Sequence, residues 1–88
     1  MHSPKIHDLD YAGRVARSFA KQGIMTLLAY YRRNARDACV REQWVGCGVI
    51  ARAGLRIDPG DPTLLALDVA AGQGERGEAA KIPALPPE

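Results

Sequence analysis

The chain has 88 residues and a net charge of +2, a length that suits one small domain at most. So slight a charge excess is no argument for a nucleic-acid partner, and no apolar run approaches the ~20 residues that cross a bilayer as a helix. The segment MHSPKIHDLD lacks the apolar block of a secretory signal, and Asp8 and Asp10 argue against an import leader, so a cytoplasmic location is expected.

The head, residues 1–7, is short and polar and is expected to be flexible. Asp8 can cap a helix, and Asp10 adds negative charge at the positive end of the helix dipole. From there Leu9, Ala12, Ala16, Phe19, Ala20, Ile24, Leu27, Leu28 and Tyr31 recur every three or four residues, the period of one helix face. Arg14, Arg17 and Lys21 form a basic stripe that should face water. Gly23 interrupts the pattern at a cost of ~1 kcal/mol relative to Ala. The spacing predicts a helix from about residue 9 to 28, extending to about 41.

In WVGCGVIARAGLRI, Val45, Cys47, Val49, Ala51, Ala53, Leu55 and Ile57 alternate at the period of a strand, although Gly46, Gly48 and Gly54 weaken it. Asp58-Pro59-Gly60-Asp61-Pro62 is a turn signal, because Pro presets φ and Gly permits positive φ. Thr63 to Val69 then suits a second strand, giving a β-hairpin over about 45–69. Residues 70–88 are Gly, Ala, Glu and Pro with only Ile82 and Leu85 as large apolar groups, too little to offset ordering entropy. A disordered tail is expected there. The expected fold class is therefore α+β: a long N-terminal amphipathic helix, a hairpin, and a tail, with residues 8–69 as the single domain.

Candidate chemistry is sparse. Cys39 and Cys47 follow neither a CxxC nor a zinc spacing; a disulfide is allowed by count, but a cytoplasmic chain keeps thiols reduced, and two semi-buried thiols are expected. His2 and His7 complete the ligand count of a zinc site but not its spacing, so neither a metal nor a cofactor is expected. Tyr30 and Tyr31 with Arg32, Arg33, Arg36 and Arg41 form a basic, aromatic patch that could meet phosphates or a protein partner, or equally describe a solvated helix face.

The run DLDYAGRVARSFAKQGIMTLL, Asp8 to Leu28, resembles the leader of the phenylacetic-acid-degradation type of hotdog thioesterases, whose members often begin with a segment like DxDYAxRVRxSFxRQxxMxTL. The matching residues are Asp8, Asp10, Tyr11, Ala12, Arg14, Val15, Ser18, Phe19, Lys21, Gln22, Met25 and Leu27. The resemblance implies an antiparallel sheet wrapped round a central helix, dimers or tetramers, and hydrolysis of acyl-CoA thioesters by a His-Gly-Gly-type loop and an acid on the central helix. Backbone polarisation of the carbonyl beside a carboxylate is sound acyl-transfer chemistry.

The pattern is left behind after Leu28. No histidine follows His7, and Trp44 to Ala51 only echoes the loop, with Gly46 where the histidine would lie. No catalytic residue is carried over, and Phe19, Gln22 and Met25 are the only substrate-adjacent positions. The leading expectation is a truncated or frameshifted thioesterase, inactive alone and incompletely hotdog-like at best. The second is a helix-plus-hairpin module that binds a protein or nucleic acid through Arg32, Arg33, Arg36 and Arg41. Partners expected on these readings are a second copy, through the apolar helix face, and acyl-CoA by resemblance only; nucleic acid and membrane are not expected.

Overall fold

Three helices, and no strand among the described residues, stand where a helix and a hairpin were expected. The computed structural model describes the backbone of residues 5–87 and the side chains of residues 22–87. The elements are α1 (Lys5–Val40), α2 (Trp44–Leu55) and α3 (Pro62–Glu75). Helix α2 packs on both α1 and α3, which touch each other more narrowly.

Helix α1 falls where the 3.6-residue spacing places it, and begins early enough to take residues 5–7 of the expected head into the helix. The rest of that head lies outside the described residues. Leu28, Ala35, Ala38 and Cys39 are buried at steps of three, four and seven, and form the face that meets the other helices. After Val40 the chain reverses over three residues. Glu42 takes a left-handed conformation with φ 61°, and the Gln43 N–H donates back to the Ala38 carbonyl at 2.9 Å. This is the usual way to close a helix C-terminus, with a glutamate where glycine is the rule.

The hairpin expectation is overturned over both of its strands. In α2 the buried residues are Cys47, Gly48, Ala51 and Gly54, a helical spacing, while Val45 and Val49 are exposed. The alternation that suggested a strand counted Val45 and Val49, which here point outward, together with Cys47 and Ala51, which here are buried. The burial signal was carried by small residues, which let helix backbones approach. A Cβ at Gly54 would stand 2.6 Å from Leu64 Cδ1 and 3.0 Å from Tyr31 Cβ, so α1, α2 and α3 converge where that position is bare. The expected turn does occur: the Asp61 N–H donates to the Asp58 carbonyl at 3.2 Å, and the Gly60 N–H to Asp58 Oδ1 at 3.2 Å. It joins two helices rather than two strands, because Asp61 is the N-cap of α3 and Pro62 its first residue. Leu64, Leu67, Ala70 and Ala71 then face the core.

The expected disordered tail is also corrected. Its first residues complete α3, with Ala70 and Ala71 buried. Gly77, at φ 76°, supplies the left-handed residue that ends the helix, and the Glu78 N–H donates to the Gln73 carbonyl at 2.9 Å. Beyond it the chain runs extended and doubles back onto α1. The Lys81 N–H donates to Gln73 Oε1 at 3.1 Å, Arg36 Nε donates to the Pro83 carbonyl at 2.9 Å, and Ala80 and Ile82 pack against the core. Composition alone missed this because the segment is held by polar contacts to other elements.

The two cysteines form a disulfide, not the reduced thiols expected. Cys39 lies in the last turn of α1 and Cys47 in the first turn of α2. The reversal between them brings their Cα atoms to 5.1 Å, inside the range of about 4.4–6.8 Å that a bridge needs. Both sulfurs are fully buried and rest 3.9 and 3.7 Å from the Leu67 carbonyl oxygen. These are packing contacts, since an oxidised sulfur has no proton to donate. Closing so short a loop stabilises the fold by roughly 2–3 kcal/mol in the chain-entropy account. That is a large share for a core in which, among the described residues, Leu28, Leu64 and Leu67 are the buried leucines, only the last two of them fully out of water, and the rest is alanine and cystine.

The close contact between α2 and α3 gives a direct test. The Trp44 indole covers Gly74, and a Cβ at that position would fall within the ring. Gly74→Ala is expected to displace Trp44 and destabilise the fold by about 1–3 kcal/mol, despite the better helix propensity of alanine. Urea denaturation of the variant measures this; an unchanged midpoint would mean that Trp44 is not seated on α3 in solution.

Candidate functional site

Two groups of residues stand out, an ion pair inside the fold and a groove outside it. The ion pair is built on Asp61, the one charged residue that is buried among the described residues. Its Oδ2 accepts from the Leu64 N–H at 2.9 Å, capping α3. Its Oδ1 accepts from Arg32 Nε at 3.0 Å and from Arg32 Nη2, tying the cap to the middle of α1. Burial pushes the Asp61 carboxyl up, but the hydrogen bond from Arg32, the Leu64 and Thr63 backbone N–H groups and the guanidinium charge outweigh it, and the group is held below the usual carboxylate range. The same pairing raises Arg32. Among the described residues no buried side-chain nitrogen or oxygen lacks a partner.

The groove lies between α1 and the returning C-terminal segment. Met25, Thr26, Ala29, Arg32 and Arg33 form one wall and Leu85, Pro86 and Pro87 the other, enclosing about 450 Å³. Such a volume is within the range of small binding sites, although this one is open along its length. Beside it, every residue from Gln22 to Leu27 is exposed, and Leu28 is the first buried side chain among the described residues of the helix. Ile24, Met25, Leu27 and Tyr30 are 49, 60, 41 and 55% exposed, with the Tyr30 ring resting edge-on against Tyr31 at 5.8 Å.

The structure redistributes the residues singled out in the sequence. Met25, Arg32 and Arg33 are brought together on the groove, and Gln22 stands exposed beside it. The Phe19 side chain and those of His2 and His7 lie outside the described residues. The basic patch does not act as a unit. Arg32 is spent on Asp61, Arg36 on the Pro83 carbonyl, and Arg41 on Asp37 at 3.4 Å, one helical turn away. Among the described residues Arg33 is the member of the four with no such partner. Sequence reading missed Asp61 as a cap, although Asp-Pro before an apolar run is a helix-start signal. It also missed Leu85, Pro86 and Pro87, for which no local signal existed.

Among the described residues no cluster of three or more histidine, cysteine or carboxylate side chains could hold a metal ion, and no helix is long and apolar enough to cross a membrane. The groove lining offers apolar contact and guanidinium charge. Comparison with protein-family models, curated proteins and solved structures finds no match to this chain.

The Asp61 cap makes a pH prediction. Its carboxyl is held below its unfolded value, so the stability it contributes is complete above about pH 4 and is lost as pH falls through the lower folded value. Asp61→Asn keeps a capping oxygen and loses the charge. The variant should be about 1–2 kcal/mol less stable at pH 6, and the gap should close toward pH 2. Urea midpoints from pH 2 to pH 6 measure it, and a gap that stays constant with pH would remove Asp61 as the titrating group.

Proposed function

We propose that this chain is a small, disulfide-pinned helical interaction module that docks a protein partner along the N-terminal arm of α1. The observation that carries the reading is the exposure of Ile24, Met25 and Leu27 on a stretch of helix, residues 22–27, where every side chain is exposed and the C-terminal segment approaches only at Met25 and Thr26 among the described residues. Isolated helices are marginal in water, and most helical stability comes from burying an apolar face. The arm from Lys5 to Leu27 is about 35 Å long, and its sequence keeps apolar residues at helical spacing. A helix of this kind is stabilised by whatever covers that stripe. The first partner to test is a second copy of the chain, meeting it through the same apolar face.

The thioesterase-remnant reading is weighed against this one on the residues after Leu28. A stretch read out of frame has no reason to place an Asp-Pro cap, an ion pair to α1, bare positions at Gly54 and Gly74 and a well-placed cysteine pair in mutual agreement. Such agreement across levels is what a sequence selected for one fold has. The resemblance over Asp8 to Leu28 is retained as a likeness of the arm alone, and acyl-CoA turnover by the pure chain is the result that would restore the catalytic reading. The cytoplasmic expectation is also set aside in this proposal. A buried structural disulfide favours an oxidising compartment, and we assign the working chain there.

The test is sedimentation of the pure oxidised chain over about 1–500 μM, compared with the double variant Ile24→Glu, Leu27→Glu. The two exposed positions leave the body intact, so circular dichroism should be unchanged in the body. Self-association should be at least tenfold weaker, a loss of 1.4 kcal/mol or more. A strictly monomeric parent chain would eliminate the second copy as partner. A variant that associates as well as the parent would eliminate the arm as the docking surface.

A further inference from the structure

The corner between α1 and α2 is built against its own local preferences. Glu42 holds a left-handed conformation that a residue with a Cβ adopts reluctantly. Gln43 precedes α2 without a side-chain cap, and no acidic residue occupies the first turn. Within α2, Val45, Gly46, Gly48 and Val49 are all poor helix formers. The helix has 12 residues, at the length where a free helix is marginal even with good residues. Yet α2 is the element on which both other helices pack, and Trp44, its first residue, is the side chain that covers Gly74 of α3. Besides the Trp44 contact and the hydrogen bond from the Cys47 N–H to the Gln43 carbonyl at 2.8 Å, what ties its first turn to α1 is the bond from Cys47 to Cys39.

We propose that the fold is conditional on redox state: closure of Cys39–Cys47 seats α2, and a chain held reduced leaves α2 and α3 unseated. The proposal is independent of what α1 docks. In the opening direction a small dithiol transfers two electrons and two protons. Its thiolate attacks one sulfur, its second thiol displaces the mixed disulfide, and Cys39 and Cys47 are left as thiols while the reductant closes its own disulfide. Both cysteines are fully buried, so a dithiol reaches them only when the corner opens, and the folded, oxidised chain resists reduction. In the closing direction a small-molecule disulfide is the oxidant: one cysteine thiolate of the open chain attacks its S–S bond, the other cysteine displaces the mixed disulfide, the two electrons and two protons leave as two small thiols, and the bond then locks as the corner folds. The device therefore acts as a one-way latch, set when the chain first meets an oxidising compartment.

The experiment compares the oxidised chain, the same chain after unfolding and refolding in excess dithiothreitol, and the double variant Cys39→Ala, Cys47→Ala, which keeps small apolar groups at both positions without the link. Helical signal and thermal midpoint are read for each, and iodoacetamide labelling reports thiol access. The reduced chain and the variant should both fall by about 10 °C or more in midpoint and lose a substantial part of their helical signal at 37 °C. Both thiols of the reduced chain should label within minutes, and dithiothreitol added to the native oxidised chain should act many times more slowly than in urea. A reduced chain that keeps its signal and midpoint within a few degrees overturns the proposal, and so does a linkless variant that melts with the oxidised chain.

Discussion

Asp61 is the residue through which the body is joined. Its two carboxylate oxygens serve separate elements: one satisfies the free N–H groups at the start of α3, the other receives the guanidinium of Arg32 from α1. A helix end and an interhelical tie are thus fixed by one buried group, and the turn from Asp58 to Asp61 is shaped to deliver it. Removing Arg32 would leave the Asp61 carboxylate, 3% exposed, out of water with its charge unmatched, which is more costly than the net gain of the bond itself. The contact ties the start of α3 to the middle of α1, and the C-terminal segment is then held to the same two helices by Arg36 and Gln73.

The apolar core gives less help than usual. Alanine, glycine and the cystine fill most of it, and the leucines are few. Small residues contribute little burial each, but they let backbones approach, and close approach is what Gly54 and Gly74 achieve against Tyr31, Leu64 and Trp44. A core of this type relies on covalent and polar ties to a degree that a leucine-rich bundle does not. The disulfide at one end of α2 and the Asp61–Arg32 pair beyond its other end stand where such ties are needed.

Legibility of the sequence divides along the same line. Helix α1 could be read because its large apolar residues recur at helical spacing. Helix α2 could not, since of its core-facing positions Cys47, Gly48, Ala51 and Gly54 only Cys47 and Ala51 are apolar and both are small, while the exposed Val45 and Val49 fall in step with them and imitate a strand. Helix α3 was within reach, because Leu64, Leu67 and Ala71 keep helical spacing and Asp61-Pro62 marks a start; the preceding Pro-Gly drew the reading toward a hairpin. Of the candidate site, Met25 and Arg33 were legible as residue types on α1. The opposite wall was not, because Leu85, Pro86 and Pro87 reach it through long-range contacts of Arg36 and Gln73 that no local pattern encodes.

The docking reading and the redox reading meet on α1, which carries the exposed arm at one end and Cys39 near the other. The C-terminal segment adds a geometric consequence. Because Pro83 is tethered to Arg36 and Pro87 lies beside Met25 and Ala29, anything joined to the chain after Glu88 departs from the flank of the exposed arm. A purification handle or reporter fused at that end would crowd the groove and compete for the surface it was meant to observe. A label introduced at Arg41, exposed just past the far end of α1 and about 24 Å along that helix from Met25, would leave it clear.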